Sequence, residues 1–443
     1  MMKYRTQGIA YQYFLVATIL FGLQIVFGLI TGAKYVWDTD PLINLLPFNT
    51  SRAIHINLLV FWLLLGFMGG TYYLVPEESE TDIYSPRLAL AQLYLLTAIG
   101  VAAIVGYIFG WTWGMPFLEQ PTVLKIGIVA AALIFLFNIF MTVMKTKIWT
   151  AIQGVLLLGL VMLAGLFLFG IYFDKNLSTQ YFWWWWVIHL WVEGAWELVA
   201  GSIMAFILLK LTGVDRSLVE KWLYVEVGLV LFTGIVGTGH HYYWIGTPRY
   251  WLWFGAVFSA LEPVPILFMV LDVMRDVREK KVRIENRTAL YWAVGGAFMH
   301  FFGAGVWGFA HTLPQINKWT HGTQVTASHG HFAFFGAYVM LNLTMIYFAV
   351  PTIKGLKSLR QGLGMKAFWT MNFSMILMAL ALAVAGVVQT YFQRIMGIDY
   401  LTTQGFMRLW FAVFWVSAWG FAAGVLMYIV DFFTMGGVGE MQG

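Results

Sequence analysis

The chain has 443 residues, of which 60% are hydrophobic and only 11% are charged, and its formal net charge is +5. Soluble proteins carry about a quarter charged residues, so the composition excludes an ordinary soluble enzyme and indicates a polytopic membrane protein. The charges lie in short loops beside apolar segments, which argues for contact with membrane lipid and against a nucleic-acid partner. The absence of cysteine excludes disulfides, thiolate metal sites and covalent attachment of c-type haem.

Apolar segments long enough to span a bilayer recur along the chain. We predict an all-α fold, a single membrane domain over residues 1–443 with twelve transmembrane helices. The first segment has no clear cleavage site, and we expect it to be retained as a helix. The run Trp183–Trp186 begins the sixth segment and is typical of an interfacial aromatic belt. The predicted spans are 11–33, 53–75, 88–110, 123–145, 148–173, 183–210, 219–245, 250–273, 288–311, 322–352, 366–392 and 405–433.

Basic residues orient these spans, because cytoplasmic loops of membrane proteins are enriched in lysine and arginine. The N-terminal tail and the loops on its side carry 18 of these residues, and the opposite loops carry 8, which together make the total of 26. This bias predicts that both termini are cytoplasmic.

Six of the nine histidines then fall at a similar depth in the outer part of the membrane. Ionisable residues inside a membrane are costly and are usually functional. A single such histidine is ordinarily a hydrogen-bonded core residue, but six at one depth indicate metal or haem binding. They are His55, His189, His240, His241, His329 and His331.

His329 and His331 are two positions apart, so they point to opposite sides of the tenth helix. Each can hold one haem, and His55 can supply the second axial ligand to one of them. One axial histidine leaves an open face for a substrate, whereas two make a closed electron carrier.

The remaining histidines predict a second kind of site. His189 and Glu193 share a helix face, with Glu197 one turn deeper. His240 and His241 can meet one metal only if the helix is locally distorted, which nearby glycines favour. A carboxylate ligand favours non-haem iron over copper. The alternative is that Glu193 is a nearby proton-relay acid.

Six motifs together resemble the haem–copper oxidase superfamily, and most closely the catalytic subunit of its cytochrome c-dependent nitric oxide reductase branch. The resemblance covers nearly the whole chain. The motifs are R-x-x-H-x-N at 52–57, YYLVPEE at 72–78, HLWVEGAWE at 189–197, GTGHHYYWIG at 237–246, the Glu262-Pro263 pair and SHGHFAFFGAY at 328–338.

The resemblance implies a fold like that of haem–copper oxidase subunit I, and roles for the matching residues. It implies that His329 is the ligand of high-spin haem b3 and that His55 and His331 are the axial pair of low-spin haem b. It assigns the non-haem iron to His189, His240, His241 and Glu193. Glu197 and Glu262 match acids linked to proton delivery, and Arg52 matches a residue near haem propionates.

Position 193 selects the branch that the resemblance implies. Many oxidases of this superfamily have tyrosine four residues after the first metal-binding histidine, where this chain has Glu193. The implied reaction is therefore the reduction of two nitric oxide molecules to nitrous oxide and water. The alternatives are a terminal oxygen reductase of the same superfamily and, remotely, a multi-span transporter.

The chain departs from the family in the loop between the third and fourth spans, where relatives often read G-x-E-x-x-E. Pro116 replaces the first acid, which helps to bind calcium in relatives, so calcium is doubtful here. Glu119 matches the second acid, and we expect it to be either part of an external proton uptake path or a solvated loop residue. The spans suggest no cytoplasmic proton channel, so we predict a non-electrogenic enzyme.

Electrons must arrive from a partner, and the resemblance favours a membrane-anchored cytochrome c subunit. Quinol-dependent relatives carry a long N-terminal extension, whereas here a short segment precedes the first span. The location implied is the inner membrane of a bacterium. Of the other histidines, His300 is expected to bond a carbonyl or a propionate, and His311 and His321 are expected at the interface.

Overall fold

Twelve helices form the body of the part of the chain that the computed structural model describes, residues 2–37, 40–41, 44–356 and 359–436. Each is long and apolar enough to cross a membrane, which confirms the predicted all-α fold with twelve spans. Lys357, one of the residues counted for the orientation, lies outside the described residues, as do Met1 and 437–443. We number the helices α1 Arg5–Ala33, α2 Phe48–Glu78, α3 Pro86–Ile108, α4 Thr122–Val143, α5 Ala151–Gly170, α6 Leu177–Thr212, α7 Arg216–His241, α8 Arg249–Glu279, α9 Arg287–Thr312, α10 Gln324–Ile353, α11 Gly362–Ile395 and α12 Tyr400–Thr434.

Polar residues at the first turns define where several helices begin. The Ser85 hydroxyl accepts a hydrogen bond from the Leu88 amide at 3.3 Å, directly before Pro86 at the first position of α3. Thr150 and Gln153 form a capping box at the start of α5. Such caps satisfy amide groups that have no partner within the helix.

The helices extend beyond the predicted spans at several ends. Helix α2 runs over Phe48–Glu78, although its apolar stretch predicted 53–75. Hydropathy detects only the segment that matches the hydrocarbon core, whereas the helix continues into the polar boundary. There Glu78 accepts two hydrogen bonds from the Arg216 guanidinium, at 2.8 and 3.0 Å, which joins the ends of α2 and α7.

Helices α2, α6 and α10 lie at the centre of the bundle. In their most apolar windows 89%, 83% and 83% of the residues are buried, compared with 28% in α1 and α12. The three central helices carry His55, His189, His329 and His331. The candidate site is therefore built on the part of the bundle that is most enclosed by other helices.

Helices α6, α7, α9 and α10 each contain a π-helical turn. The turns in these four helices are Trp191–Ala195, Val230–Gly234, Phe301–Trp307 and Phe335–Val339, and α11 contains a further one at Thr390–Ile395. A π-turn inserts one extra residue and is frequently found at functional sites. Each of the four supplies a group to the contacts described below, so the distortions position the site.

Candidate metal centre

Three histidines and one glutamate from α6 and α7 lie together inside the bundle. The candidate ligand atoms of His189, Glu193, His240 and His241 are all within 4.8 Å of one another, and no other such group of three or more occurs among the described residues. Glu193 Oε1 is 3.3 Å from His189 Nδ1, 3.9 Å from His240 Nε2 and 4.0 Å from His241 Nε2. The structure thus brings together the four side chains that the sequence grouped, and their role as ligands stays a prediction.

Backbone carbonyls fix the orientation of two of these imidazoles. His189 Nε2 lies 2.8 Å from the Gly234 carbonyl, in the π-turn of α7. His189 Nδ1 is buried and has no hydrogen-bond partner among the residues that the structure describes. His240 Nδ1 lies 3.3 Å from the Gly255 carbonyl. Metal-binding histidines usually have one nitrogen held in this way, which leaves the other for the metal.

The end of α7 has the local distortion that two adjacent histidines require. Thr238–His241 forms a 3₁₀ turn, and it brings His240 Nε2 to 3.0 Å from His241 Nε2. Gly239 packs directly on α8, because a Cβ there would lie 2.2 Å from the Trp251 carbonyl oxygen. Two imidazole nitrogens at this distance need a shared proton or a shared metal ion between them.

The tryptophan run does not act only as an interfacial belt, so that prediction was incomplete. The Trp185 ring stacks on the His241 ring, with centroids 4.1 Å apart and planes at 7°. Trp184 Nε1 donates a hydrogen bond to the Pro116 carbonyl at 2.8 Å. The run therefore supports a candidate ligand and the loop before α4, which periodicity alone did not indicate.

Two further groups border the Glu193 carboxylate. The Ser259 hydroxyl of α8 donates a hydrogen bond to Glu193 Oε2 at 2.5 Å. Glu262 is 2% exposed, and its Oε1 has no hydrogen-bond partner in the described part of the chain. A Cβ on Gly237 would lie 3.2 Å from His189 Nε2 and 3.3 Å from Glu262 Oε1, so Glu262 adjoins the cluster.

Glu197 lies deeper on α6 and contacts α9 and α10. Its Oε1 is 3.1 Å from the Tyr338 hydroxyl and 3.0 Å from His300 Nε2. Glu197 therefore occupies the Nε2 side of the His300 ring, and the expected carbonyl or propionate partner of His300 stays a prediction. Tyr338 had no predicted role, although it ends the SHGHFAFFGAY motif.

The other three candidate histidines have one ring nitrogen anchored. His55 Nδ1 is 2.9 Å from the Gln24 carbonyl, His331 Nδ1 is 2.8 Å from the Ala327 carbonyl, and His329 Nδ1 is 3.1 Å from the Gly303 carbonyl. The rings of His55 and His331 face each other with centroids 6.4 Å apart.

Glu119 is not a solvated loop residue, so that alternative is wrong. It is 3% exposed, and its Oε2 accepts a hydrogen bond at 2.8 Å from Asn57, two residues after His55. Gln120 Nε2 donates to the other end of the Asn57 amide. Burial raises the pKa of Glu119 to about 7, although the Asn57 hydrogen bond and the Arg52 charge act to lower it.

His311 lies at the end of α9 and is enclosed by protein, while its expected position at the membrane interface stays a prediction. It is 6% exposed, its Nε2 lies 3.0 Å from the Thr326 hydroxyl, and its ring centroid is 6.1 Å from that of His329. His321 is half-buried, with its Nδ1 3.2 Å from Asn317 Oδ1. Neither position follows from the sequence, because both depend on the loop packing against α10.

Fold and site together define a multi-span membrane protein with two sets of histidines inside its helical bundle, on α2, α6, α7 and α10. The chain matches, over residues 8–423, the family described as cytochrome c and quinol oxidase polypeptide I. It therefore belongs to this family.

Individual relatives agree with this assignment. A nitric oxide reductase subunit of Stutzerimonas stutzeri is 46% identical over 99% of this chain and 96% of its own length. A Cbb3-type cytochrome c oxidase subunit of the same organism is 22% identical over 89% of this chain and 86% of its own. A heme-copper terminal oxidase dimer solved by cryo-electron microscopy has the same fold, with a TM-score of 0.75 at 14% identity over 97% of this chain and 83% of that chain.

Membership of this family implies haem and metal cofactors, and the residues present fit them. The anchored nitrogens of His55, His329 and His331 leave the opposite ring nitrogen of each free to bind haem iron. The unpartnered Nδ1 of His189 faces Glu193, as a metal-binding nitrogen would. The donor set of three imidazoles and one carboxylate suits iron.

Proposed function

We propose that this chain is the catalytic subunit of a respiratory nitric oxide reductase. It would reduce two molecules of nitric oxide, with two electrons and two protons, to one nitrous oxide and one water. Electrons would pass through low-spin haem b to a centre of haem b3 and non-haem iron, and would come from a membrane-anchored cytochrome c subunit.

The observation that carries this proposal is the Glu193 carboxylate within the three-histidine cluster. Its Oε1 is within 4.0 Å of a nitrogen of each histidine. A carboxylate oxygen makes the site more suitable for iron than for copper. The 46% identity to a nitric oxide reductase subunit, against 22% to an oxidase subunit, supports the same choice.

The chain would hold its cofactors through the histidines already described. His55 and His331 would hold low-spin haem b, His329 would hold haem b3, and the four-residue cluster would hold the non-haem iron. When bound, these groups would supply electrons and two adjoining metal positions at which two nitric oxide molecules come within bonding range. Arg52, one turn before His55, would lie near the haem propionates. No calcium site is part of this proposal.

The buried acids around the cluster would supply the protons. Ser259 holds Glu193 Oε2, which keeps Oε1 directed at the histidines. Glu262, with one oxygen free of described partners, and Glu197, beside Tyr338 and His300, would hold protons next to the centre. A carboxyl whose pKa is near working pH gives and takes protons most readily, which favours Glu119 as the residue that takes them up from outside.

The proposal includes the placement of the chain in its membrane. The chain would form a single domain in the inner membrane of a bacterium, with both termini cytoplasmic and the metal centre in the outer part. Protons and electrons would then both enter from the outer side, so turnover would move no net charge across the membrane.

Turnover of the purified complex with its electron-donor subunit tests the proposal. We expect nitric oxide to be consumed without oxygen, with one nitrous oxide formed per two nitric oxide, as an electrode and gas analysis would measure. Reduction of oxygen without consumption of nitric oxide would instead make the chain a terminal oxidase. A preparation that binds no haem would exclude both enzymes and leave the transporter.

A further inference from the structure

Glu226 on α7 is a buried acid that the proposed site does not use. Its side chain is 0% exposed, and neither carboxylate oxygen has a hydrogen-bond partner among the described residues. It lies in the apolar stretch LYVEVGLVLF and had no predicted role. An ionised carboxylate in such surroundings is very costly. The resting form of Glu226 is therefore the protonated acid.

The Glu226 carboxyl packs against bare backbone of α6. A Cβ on Gly201 would lie 2.0 Å from Glu226 Oε2 and 2.3 Å from Oε1, so only glycine leaves room for it. Gly201 is four residues after Glu197, one helical turn or about 6 Å along the same face. The Glu226 carboxyl, which packs on Gly201, therefore lies about one helical turn along α6 from Glu197.

Beyond Glu226, towards the Arg216 end of α7, the packing is apolar. Val219 and Leu223 of α7 and Val270 and Val273 of α8 are each 0% exposed. In the opposite direction lies Glu197, which contacts Tyr338 and His300. Glu226 thus has the acid Glu197 about one helical turn away on the side of the metal centre and apolar packing on the other side.

We propose that Glu226 is a proton store that acts through Glu197. When Glu197 has given its own proton to the centre, the Glu226 carboxyl O–H bond breaks and this proton passes, through intervening water, to the Glu197 carboxylate. The Glu226 carboxylate later regains a proton from Glu197 once that acid has been refilled from outside. Nothing is oxidised or reduced in this exchange. Glu226 contacts no substrate and acts only by supplying a proton to Glu197, so it is not a catalytic residue. This inference rests on the proposed function.

Proton uptake during one turnover tests the store. The fully reduced complex would be mixed with nitric oxide in weakly buffered solution containing a pH indicator, and haem oxidation and proton uptake would be followed together. In the native protein, oxidation should precede uptake from solution, because one proton is already inside. In Glu226→Gln, oxidation should slow to the rate of uptake, and steady turnover should fall about tenfold, less than the hundredfold or more typical of direct proton donors.

Two variants serve as comparisons. Glu226→Asp keeps an acid on α7 and should retain the order of events in the native protein. Glu220→Gln removes an acid from the same helix that instead pairs with Arg216 near the surface, at 3.5 Å, and should change neither rate. Unchanged kinetics in Glu226→Gln would overturn the proposal, since a merely structural residue would not alter the order of oxidation and uptake.

Infrared difference spectroscopy separates this inference from the proposed function. A protonated buried carboxyl gives a carbonyl band that shifts in deuterated water, and this band should be lost in Glu226→Gln and displaced in Gly201→Ala. Gly201→Ala also tests the geometry if Glu226→Gln fails to assemble. A native protein without nitric oxide reduction would refute the function, whereas the absence of a Glu226 band would refute the store.

Discussion

Glu193 distinguishes this cluster from a site made of nitrogen alone. One of its oxygens faces three imidazoles, and the other accepts a hydrogen bond from Ser259 at 2.5 Å. Hydrogen bonds to a ligand carboxylate fix its direction and tune the bound metal. The serine is therefore part of the reason why the carboxylate points into the cluster.

Removal of the carboxylate should selectively remove the non-haem metal. In Glu193→Ala, we expect the affinity for this iron to fall at least 100-fold, because even residues that only support a ligand contribute 10–100-fold. Iron per chain should drop by one while haem b is unchanged, as metal analysis and haem spectra would measure. Ser259→Ala should have a smaller effect, about tenfold. Full retention of iron in Glu193→Ala would show that Glu193 is not a ligand.

The burial of Glu119 leads to a prediction about how the stability of the folded protein depends on pH. Its pKa in the folded protein is about 7, above the ordinary 4.5, so between these values the folded state holds a proton that the unfolded state has lost. The free energy of unfolding therefore falls as pH rises from 4.5 to about 7, and it stays at the lower value above that range. Glu119→Gln is neutral throughout, so its unfolding temperature relative to the native protein should be higher at pH 8 than at pH 5. An equal difference at both pH values would contradict the assignment.

Histidine spacing and the motifs identified candidate residues, but their partners came from packing between helices. Ser259 reaches Glu193 from α8, and Tyr338 reaches Glu197 from α10; no spacing within one segment encodes such contacts. Glu226 had a signal that went unused, namely an acid inside an apolar span.

The end of α7 combines several helix types within a short distance. A π-turn at Val230–Gly234 is followed by the 3₁₀ turn at Thr238–His241. The sequence predicted a distortion here from its glycines and paired histidines. The type of each turn could not be predicted, because it depends on the close approach of α8 at Gly255, whose Cβ would lie 2.1 Å from the His240 amide nitrogen.

Gly255 therefore offers a test of how α8 shapes the site. Gly255→Ala should push the His240–His241 turn away and release the non-haem iron, at a cost of about 1–3 kcal/mol in stability. Gly228→Ala is the matched control, since a Cβ there meets nothing within 4 Å. Iron content and unfolding temperature would be measured for both. An iron-replete Gly255→Ala protein would show that the turn does not need this packing.

The orientation of the bundle can be tested directly because the chain contains no cysteine. Lys175→Cys lies in the loop between α5 and α6, which we predict to be outside, and Arg278→Cys lies at the end of α8, predicted to be inside. In intact spheroplasts, an impermeant maleimide should label the first variant and not the second. Labelling of Arg278→Cys before detergent is added would reverse the predicted topology.

The number and type of the helices could be predicted because a bilayer allows few alternatives. A chain in lipid must satisfy its backbone hydrogen bonds internally, so long apolar segments form helices. How the helices surround one another could not be predicted from these segments alone. The central positions of α2, α6 and α10 are seen only in the structure, although the motifs at 52–57, 189–197 and 328–338 had already assigned candidate ligands to these helices.

The metal content of the purified complex would show most clearly whether the proposed centre exists. Iron, copper and haem b would be counted per chain, with the covalently bound haem of the cytochrome c partner counted separately. We predict two haems b, one further iron outside haem, and no copper. Copper in place of that further iron would contradict the role of Glu193 in selecting the metal, and would make this chain an oxygen reductase.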